Sequence, residues 1–267
     1  MSDTLMVTIL GCGSSGGVPR LGGLWGDCDP ENPKNRRKRC SILLTRSNGK
    51  GETKVLIDTS PDLRNQLLDA GVGTLDAVIY THAHADHVHG IDDLRMIVFN
   101  TREMLPVWAD PDTAKALRDR FGYIFETPIG SSYPPICKLH EMDGDVTITA
   151  AGGAITLTPF TVTHGGIDAL GFRFDDVAYI PDVSAIPDPA WAKLDGLACW
   201  IIDALRRTPH PSHAHLEQTL NWIAKLQPKQ AVLTNMHNDL DFATVAAETP
   251  AHVQPAYDGM TLTFDIT

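Results

Sequence analysis

The sequence predicts an α/β protein built from many short strands, with two sheets and helices outside them, and three observations lead there. Apolar, β-branched runs of four to ten residues recur along most of the chain, bounded by Gly, Pro, Asp or Asn. Helical periods fall between some of these runs. The composition is that of a folded globular chain, since 43% hydrophobic and 21% charged residues argue against disorder, coiled coil or collagen-like repeats.

In chain order, residues 6–10, 41–45, 54–58 and 76–80 read as the first strands. Residues 154–163, 170–174, 177–180, 200–203, 230–234 and 260–264 read as the later ones. Leu63, Leu67 and Leu68 fit a helix opened by Pro61, and Leu216, Leu220, Ile223 and Leu226 fit another that ends before Pro228. Ala114, Leu117 and Phe121 mark a third. Two stretches are irregular. Residues 11–40 are loop-like and finish in the basic run Lys34-Asn35-Arg36-Arg37-Lys38-Arg39, while residues 122–145, with Pro128, Gly130, Pro134 and Pro135, read as a surface excursion. With no internal repeat and no low-complexity linker, one domain over 1–267 is the simplest organisation.

The charge balance narrows the partners. Lys and Arg number 22 against 33 Asp and Glu, a formal charge of −11, which argues against non-specific binding to nucleic acid or an anionic membrane. The odd set Cys12, Cys28, Cys40, Cys137 and Cys199 forms no close-set framework and suits a reducing compartment. The first residues carry Asp3 and no basic residue before a short apolar run, unlike a secretory leader. No stretch approaches the ~20 apolar residues that a bilayer span requires. A cytoplasmic protein is expected.

Two motifs invite chemistry. Gly11-Cys12-Gly13-Ser14-Ser15-Gly16 matches a dinucleotide fingerprint in letters, but Gly17, Pro19, Gly22 and Gly23 would break the helix that must open there. A tight turn is the better account, with backbone N–H groups available to line a phosphate pocket. Thr81-His82-Ala83-His84-Ala85-Asp86-His87 is different, because four potential metal ligands fall within six residues at a strand end. In an extended chain His82, His84 and Asp86 share one side and His87 turns to the other, so a bend there serves two ions. His89, His140 and His252 have no such context and read as core or solvated residues.

With His82, His84, Asp86 and His87 standing as HxHxDH, the chain resembles the metallo-β-lactamase superfamily over nearly its whole length. Residues 160–165, ending in His164 and Gly165, look like the family's next ligand segment; residues 178–182, ending in Asp182, look like its bridging Asp. Residues 233–237, ending in His237, are similar to the last ligand segment, and Val55-Leu56-Ile57-Asp58 to the strand whose Asp supports the ligands. The resemblance implies a four-layer αβ/βα sandwich of two mixed β-sheets with helices on the outer faces. It implies two divalent ions, zinc foremost, with manganese or iron as alternatives. One would take His82, His84 and His164; the other Asp86, His87 and His237, with Asp182 bridging. Asp58 would accept an imidazole N–H and orient a ligand. There is one departure, since related phosphodiesterases read LTH where this chain has Leu233-Thr234-Asn235, and His237 is the better zinc ligand of the two.

Within the superfamily the chain resembles the branch of phosphoribosyl cyclic phosphate phosphodiesterase, ribonuclease Z and pyrroloquinoline quinone biosynthesis protein B. The carriers are residues 11–19, 36–41, 209–213 and 256–260. That likeness implies hydrolysis of small phosphodiesters, such as cyclic phosphates or nucleotides, by a metal-activated water. Asp86 and Asp182 would hold the catalytic metals, and His213 would be the general acid, with His215 as the alternative acid or a substrate-binding residue. Arg37 and Arg39 would grip a substrate phosphate. The branch's Cys-rich third metal site is not expected, because only Cys28 remains near it and Asn238 stands near its His ligand. No insertion resembles the tRNA-clamping arm of ribonuclease Z, so long structured RNA is not an expected substrate. Loop 122–145 offers a contact for a homodimer. Thioester or lactone hydrolysis at the same metals, and a metal-poor binding or carrier role, are the competing readings.

Overall fold

The computed structural model describes residues 3–266, so the leader reading at Met1 and Ser2 lies partly outside the described residues. Among these the strands are β1 (Thr4–Gly11), β2 (Ser41–Ser47), β3 (Glu52–Ile57), β4 (Ala77–Ile79), β5 (Leu105–Ala109), β6 (Cys137–Glu141) and β7 (Val146–Ala150). They continue as β8 (Gly153–His164), β9 (Ile167–Phe174), β10 (Val177–Ile180), β11 (Cys199–Asp203), β12 (Gln230–Thr234), β13 (Val253–Pro255) and β14 (Thr261–Asp265). The α-helices are α1 (Leu63–Asp69), α2 (Ala85–Val88), α3 (Leu94–Thr101), α4 (Pro111–Phe125), α5 (Asp188–Trp191), α6 (Leu216–Leu226) and α7 (Phe242–Glu248). Two mixed sheets of seven strands each result, in the orders β14-β1-β2-β3-β4-β5-β6 and β13-β12-β11-β10-β9-β8-β7. The chain divides into two compact units, one from Ser41–Thr156 with both chain ends, the other from Gly11–Cys40 and Leu157–Met260.

In the first unit β3, β4, β5 and β6 run parallel, and each step from one to the next passes through a helical crossover, as parallel neighbours require. Leu56, Val78 and Val107 on the strands share one buried cluster with Leu63 and Leu67 of α1, Leu94 and Ile97 of α3, and Leu117 of α4. Leu68, expected in that stripe, is 62% exposed, since one step of about 100° carries it off the face that Leu67 buries. Asp110 starts α4 by accepting from the Asp112 and Thr113 amides, with Pro111 at the first helical position. The surface excursion expected over 122–145 is a strand in part. Its prolines stop at Pro135, and β6 pairs with β5 in the register Val107↔Leu139. The alternation at Cys137 and Lys138, buried then exposed, is short and was masked by the prolines before it.

In the second unit β10, β11, β12 and β13 are parallel, and β8, β9 and β10 are antiparallel. The register sets Ile180 against Ile202 and Asp203 against Thr234, so three adjacent strands end in a row. Such carboxyl ends are where open parallel sheets place their ligands. All ten runs read from sequence fall on strands, whereas β5, β6, β7, β13, α2, α3, α5 and α7 lie outside that reading.

Residues 11–40 are laced together rather than loose. Gly13 N–H donates to Lys38 O at 2.8 Å, while Val18 and Arg37 exchange both backbone bonds at 2.9 Å. Asp258 closes this arrangement by accepting from the Lys38 amide at 2.8 Å and the Cys12 amide at 3.2 Å. Burial pushes the Asp258 carboxyl up to about 7 despite those bonds. Between an ordinary Asp value near 4 and about 7, the folded chain therefore binds a proton that the unfolded chain has lost. Stability from this group is present at low pH and is lost as pH rises through that window. The urea midpoint of the wild type is expected to fall between pH 5 and pH 8, and Asp258→Ala to flatten that slope. An equal slope in the variant would remove Asp258 as its source.

Candidate metal centre

Asp58 follows β3 directly, in a left-handed conformation (φ 65°) that Asp tolerates better than most residues, and is wholly buried. Its Oδ1 accepts from the Thr81 amide at 2.9 Å. Its Oδ2 accepts from Thr81 Oγ1 at 2.8 Å and bonds His87 Nδ1 at 2.7 Å. Because the Thr81 hydroxyl gives its one proton to Asp58, it must accept the Nδ1–H of His82, 3.0 Å away. One carboxylate thus sets the tautomer of two histidines, His87 directly and His82 through Thr81. Both keep Nε2 as a lone-pair donor.

Folding brings these groups together through short-range constraints. The chain turns after β4 into α2, which carries Asp86 and buried His87. The His87 carbonyl accepts from Thr59 N at 2.8 Å, and Gly90 N–H donates to Thr59 O at 2.9 Å. A Cβ on Gly90 would lie 2.0 Å from Ser60 O, so only glycine allows the two loops this approach. The His82 ring centroid lies 4.6 Å from that of His84 and 4.4 Å from that of His87. His87 Nε2 stands 3.7 Å from the Asp86 carboxylate.

The second unit holds a second group, on the row of strand ends. Asp182 follows β10, Asp203 ends β11 and Asn235 follows β12. Asp182, Asp203 and His213 bring one ligand atom each to within 4.8 Å of one another. Asp203 Oδ2 accepts from the Val183 amide at 3.1 Å and bonds His213 Nδ1 at 2.9 Å, while its Oδ1 is buried with no hydrogen-bond partner. Burial pushes the Asp203 carboxyl up, and the bond and charge of His213 pull it back. His164, the last residue of β8, bonds Ser212 O through Nδ1 at 2.6 Å, which again leaves Nε2 as the lone-pair donor. Its ring lies 4.6 Å from that of His213. At Gly165 (φ 63°) a Cβ would meet Ser212 Cβ at 2.7 Å, so this turn admits no side chain.

Asn235 touches the Asp182 carboxylate. Its amide donates to Asp182 Oδ1 and, at 3.0 Å, to Pro181 O. His237 is half-buried, and its Nδ1 bonds Asp239 Oδ1 at 3.1 Å. Arg37 is 2% exposed, and its guanidinium donates to His237 O at 3.2 Å, Leu240 O at 2.7 Å and Asn35 Oδ1 at 3.3 Å. That cation therefore shapes the segment carrying His237 from inside. The rest of the basic run is similarly engaged, with Lys34 over the rings of Phe242 and Tyr257, Arg36 over Trp25, and Lys38 3.8 Å from Asp258. Arg39 is half-buried, and His215 is the N-cap of α6. Away from these groups, His140 stacks on Trp108 and His89 meets Phe121 edge-on.

The profile of the Beta-lactamase superfamily domain matches residues 53–236, more than half of the chain. The chain belongs to this superfamily. Over its full length it superposes on the crystal structure of a new diphosphatase from the PhnP family, with 34% identity, a TM-score of 0.86 and 99% of that chain covered. An octanoyltransferase of Porphyromonas gingivalis is 35% identical over 96% of this superfamily member and 51% of its own length. A ribonuclease Z of Gemmatimonas aurantiaca is 30% identical over 61% of this chain and 52% of its own. The superfamily member thus spans about half the length of the curated relatives it matches.

The donor chemistry of both groups suits a divalent cation. His82, His87 and His164 are each anchored at Nδ1 by an oxygen, the arrangement that orients histidine ligands for a metal. Carboxylates of Asp86 and Asp182 accompany them. One residue in each of these two groups escaped sequence reading, Thr81 in the first unit and Asp203 in the second. Asp203 left a signal, since Ile201-Ile202-Asp203 repeats the pattern of Leu56-Ile57-Asp58, an apolar run that ends in a buried Asp. No helix among the described residues is long and apolar enough to cross a membrane.

Proposed function

We propose that this chain is a metal-dependent phosphodiesterase acting on small phosphodiesters such as cyclic phosphates or nucleotides, and that 1–267 works as one hydrolase domain. The observation that carries this reading is the Asp203–His213 pair beside Asp182, an imidazole whose Nδ1 is held by a buried carboxylate. An imidazole so held presents Nε2 to a reacting group. In its protonated form it can hand that proton to a leaving alkoxide. Phosphodiesters with alkyl leaving groups need this help, since an alkoxide is a poor leaving group at neutral pH.

His82, His84, Asp86, His87, His164, Asp182 and His237 are the proposed holders of two divalent ions, zinc foremost, with Asp58 orienting His82 and His87. Such ions polarise phosphoryl oxygens and lower the pKa of a bound water. Asn235 keeps Asp182 in place through its amide. Arg39 and His215 are proposed to meet the substrate.

The test is turnover of a phosphodiester panel by metal-reconstituted and metal-stripped protein. It includes bis(4-nitrophenyl) phosphate, cyclic nucleotides, a ribose cyclic phosphate and a short RNA. Stripping is expected to abolish turnover and re-addition to restore it. The octanoyltransferase relative supports a second reading, acyl-ester chemistry at the same groups. An octanoyl thioester on the panel separates them. Turnover of that ester alone would overturn the phosphodiesterase reading.

A further inference from the structure

Residues 206–213 of the second unit form a built loop. Arg206 braces it by donating to Thr208 O at 3.0 Å and Pro209 O at 2.6 Å. Ser212 sits at its centre with two polar roles. Its carbonyl accepts the Nδ1–H of His164 at 2.6 Å, and its amide donates to His210 Nδ1 at 3.3 Å. A backbone N–H can only donate, so His210 Nδ1 is an acceptor and the ring proton of the neutral form sits on Nε2. Ser212 Oγ, 3.2 Å from the same Nδ1, is compatible with that tautomer. The His210 ring lies 5.2 Å from that of His213, tilted by 55°. The two imidazoles are therefore anchored in opposite senses, His213 by donating from Nδ1 and His210 by accepting there.

We propose that His210 is a substrate-positioning residue, donating its Nε2–H to a non-bridging phosphoryl oxygen of the substrate beside His213. The proposal rests on the phosphodiesterase reading above. It divides the work between two histidines, His213 moving a proton and His210 keeping one. Burial first, then neighbouring positive charge, holds His210 below the usual histidine range, which favours the neutral donor. In a protein of net charge −11, this loop with Arg206, His210 and His213 is a local place for an anionic oxygen.

Two amide variants separate this role from plain loop support. In His210→Asn the amide oxygen can accept from Ser212 N as Nδ1 does, but the donor at the Nε2 position is lost. In His210→Gln the longer side chain restores a donor near Nε2 and gives up the acceptor near the backbone. With bis(4-nitrophenyl) phosphate and the manganese-loaded full chain, His210→Asn is expected to raise KM about tenfold with kcat within about twofold. His210→Gln should return KM to within a few-fold of wild type. The opposite order, Asn normal and Gln impaired, would mean loop support alone and overturn the proposal, as would no change in either.

A titration with inorganic phosphate, read by the ¹⁵N shifts of the histidine rings in the zinc-loaded chain, decides independently of turnover. The His210 Nε2 signal should move, and His210→Asn should weaken phosphate binding about tenfold. If the wild type binds phosphate in this way but turns over no phosphodiester, the phosphodiesterase reading fails and the His210 site stands. A stationary His210 signal at saturating phosphate overturns the site itself.

Discussion

Asp58→Asn is expected to weaken metal binding by about 10- to 100-fold while the chain still folds. Asn tolerates the left-handed backbone at this position nearly as well as Asp, so the change falls on the side chain. The amide oxygen can serve either Oδ1, which accepts from Thr81 N, or Oδ2, which accepts from Thr81 Oγ1 and bonds His87 Nδ1. A backbone N–H cannot turn away, so the oxygen stays with Thr81 N and the NH₂ faces His87. His87 must then present Nδ1 as an acceptor and carry its proton on Nε2. The lone pair that would bind a metal is gone, and Thr81 loses the acceptor that fixes its hydroxyl toward His82.

Competition with a chromogenic chelator, alongside total metal by mass spectrometry, measures the loss. Histidine-ring ¹⁵N shifts report the tautomer directly. Unchanged affinity in a folded Asp58→Asn protein would remove Asp58 as the orienting group. Asp58→Ala adds a second cost, because the Thr81 amide is left buried without an acceptor, at roughly 1–3 kcal/mol. Its melting temperature should therefore fall further than that of Asp58→Asn.

The comparison of Asp58 and Asp203 shows why some of this site was legible in sequence and some was not. Ligand clusters such as 82–87 are local, and a strand end followed by four ligating residues announces itself within one stretch. Strand runs were legible for the same reason, because buried parallel strands are continuous apolar segments such as Cys199–Asp203. Short edge strands like β6, and helices whose apolar stripe is two or three residues wide, carry too little pattern to stand out from their loops. Partnerships between distant segments are invisible before folding. Asp203 meets His213 only because β11 ends beside β10 and the loop before α6 returns over that row. Arg37 reads from sequence as a phosphate-gripping residue of a basic run, yet it lies buried on the carbonyls of His237 and Leu240, some 200 residues on. Charge runs reveal sign, not the segment that will fold over them.

The same pairing supplies the second large effect. His213→Ala is expected to lower kcat roughly 100-fold on phosphodiesters with alkyl leaving groups, and to change aryl esters such as bis(4-nitrophenyl) phosphate little. A nitrophenolate leaves without a proton, whereas an alkoxide does not. Asp203→Asn should follow the same leaving-group pattern with a smaller loss, about tenfold. Its amide oxygen can occupy the Oδ2 position and still accept from Val183 N and His213 Nδ1, but it no longer stabilises the protonated ring. Because Asp203 acts through His213, the double variant should be no slower than His213→Ala alone. Full additivity of the two losses would mean that Asp203 serves the reaction by another route, such as holding Val183 and thereby Asp182. Equal losses on aryl and alkyl esters would mean that the histidine supports the fold or the metals instead of the leaving group. Metal content measured on each variant separates those two, since proton donation leaves it unchanged and ligand support does not.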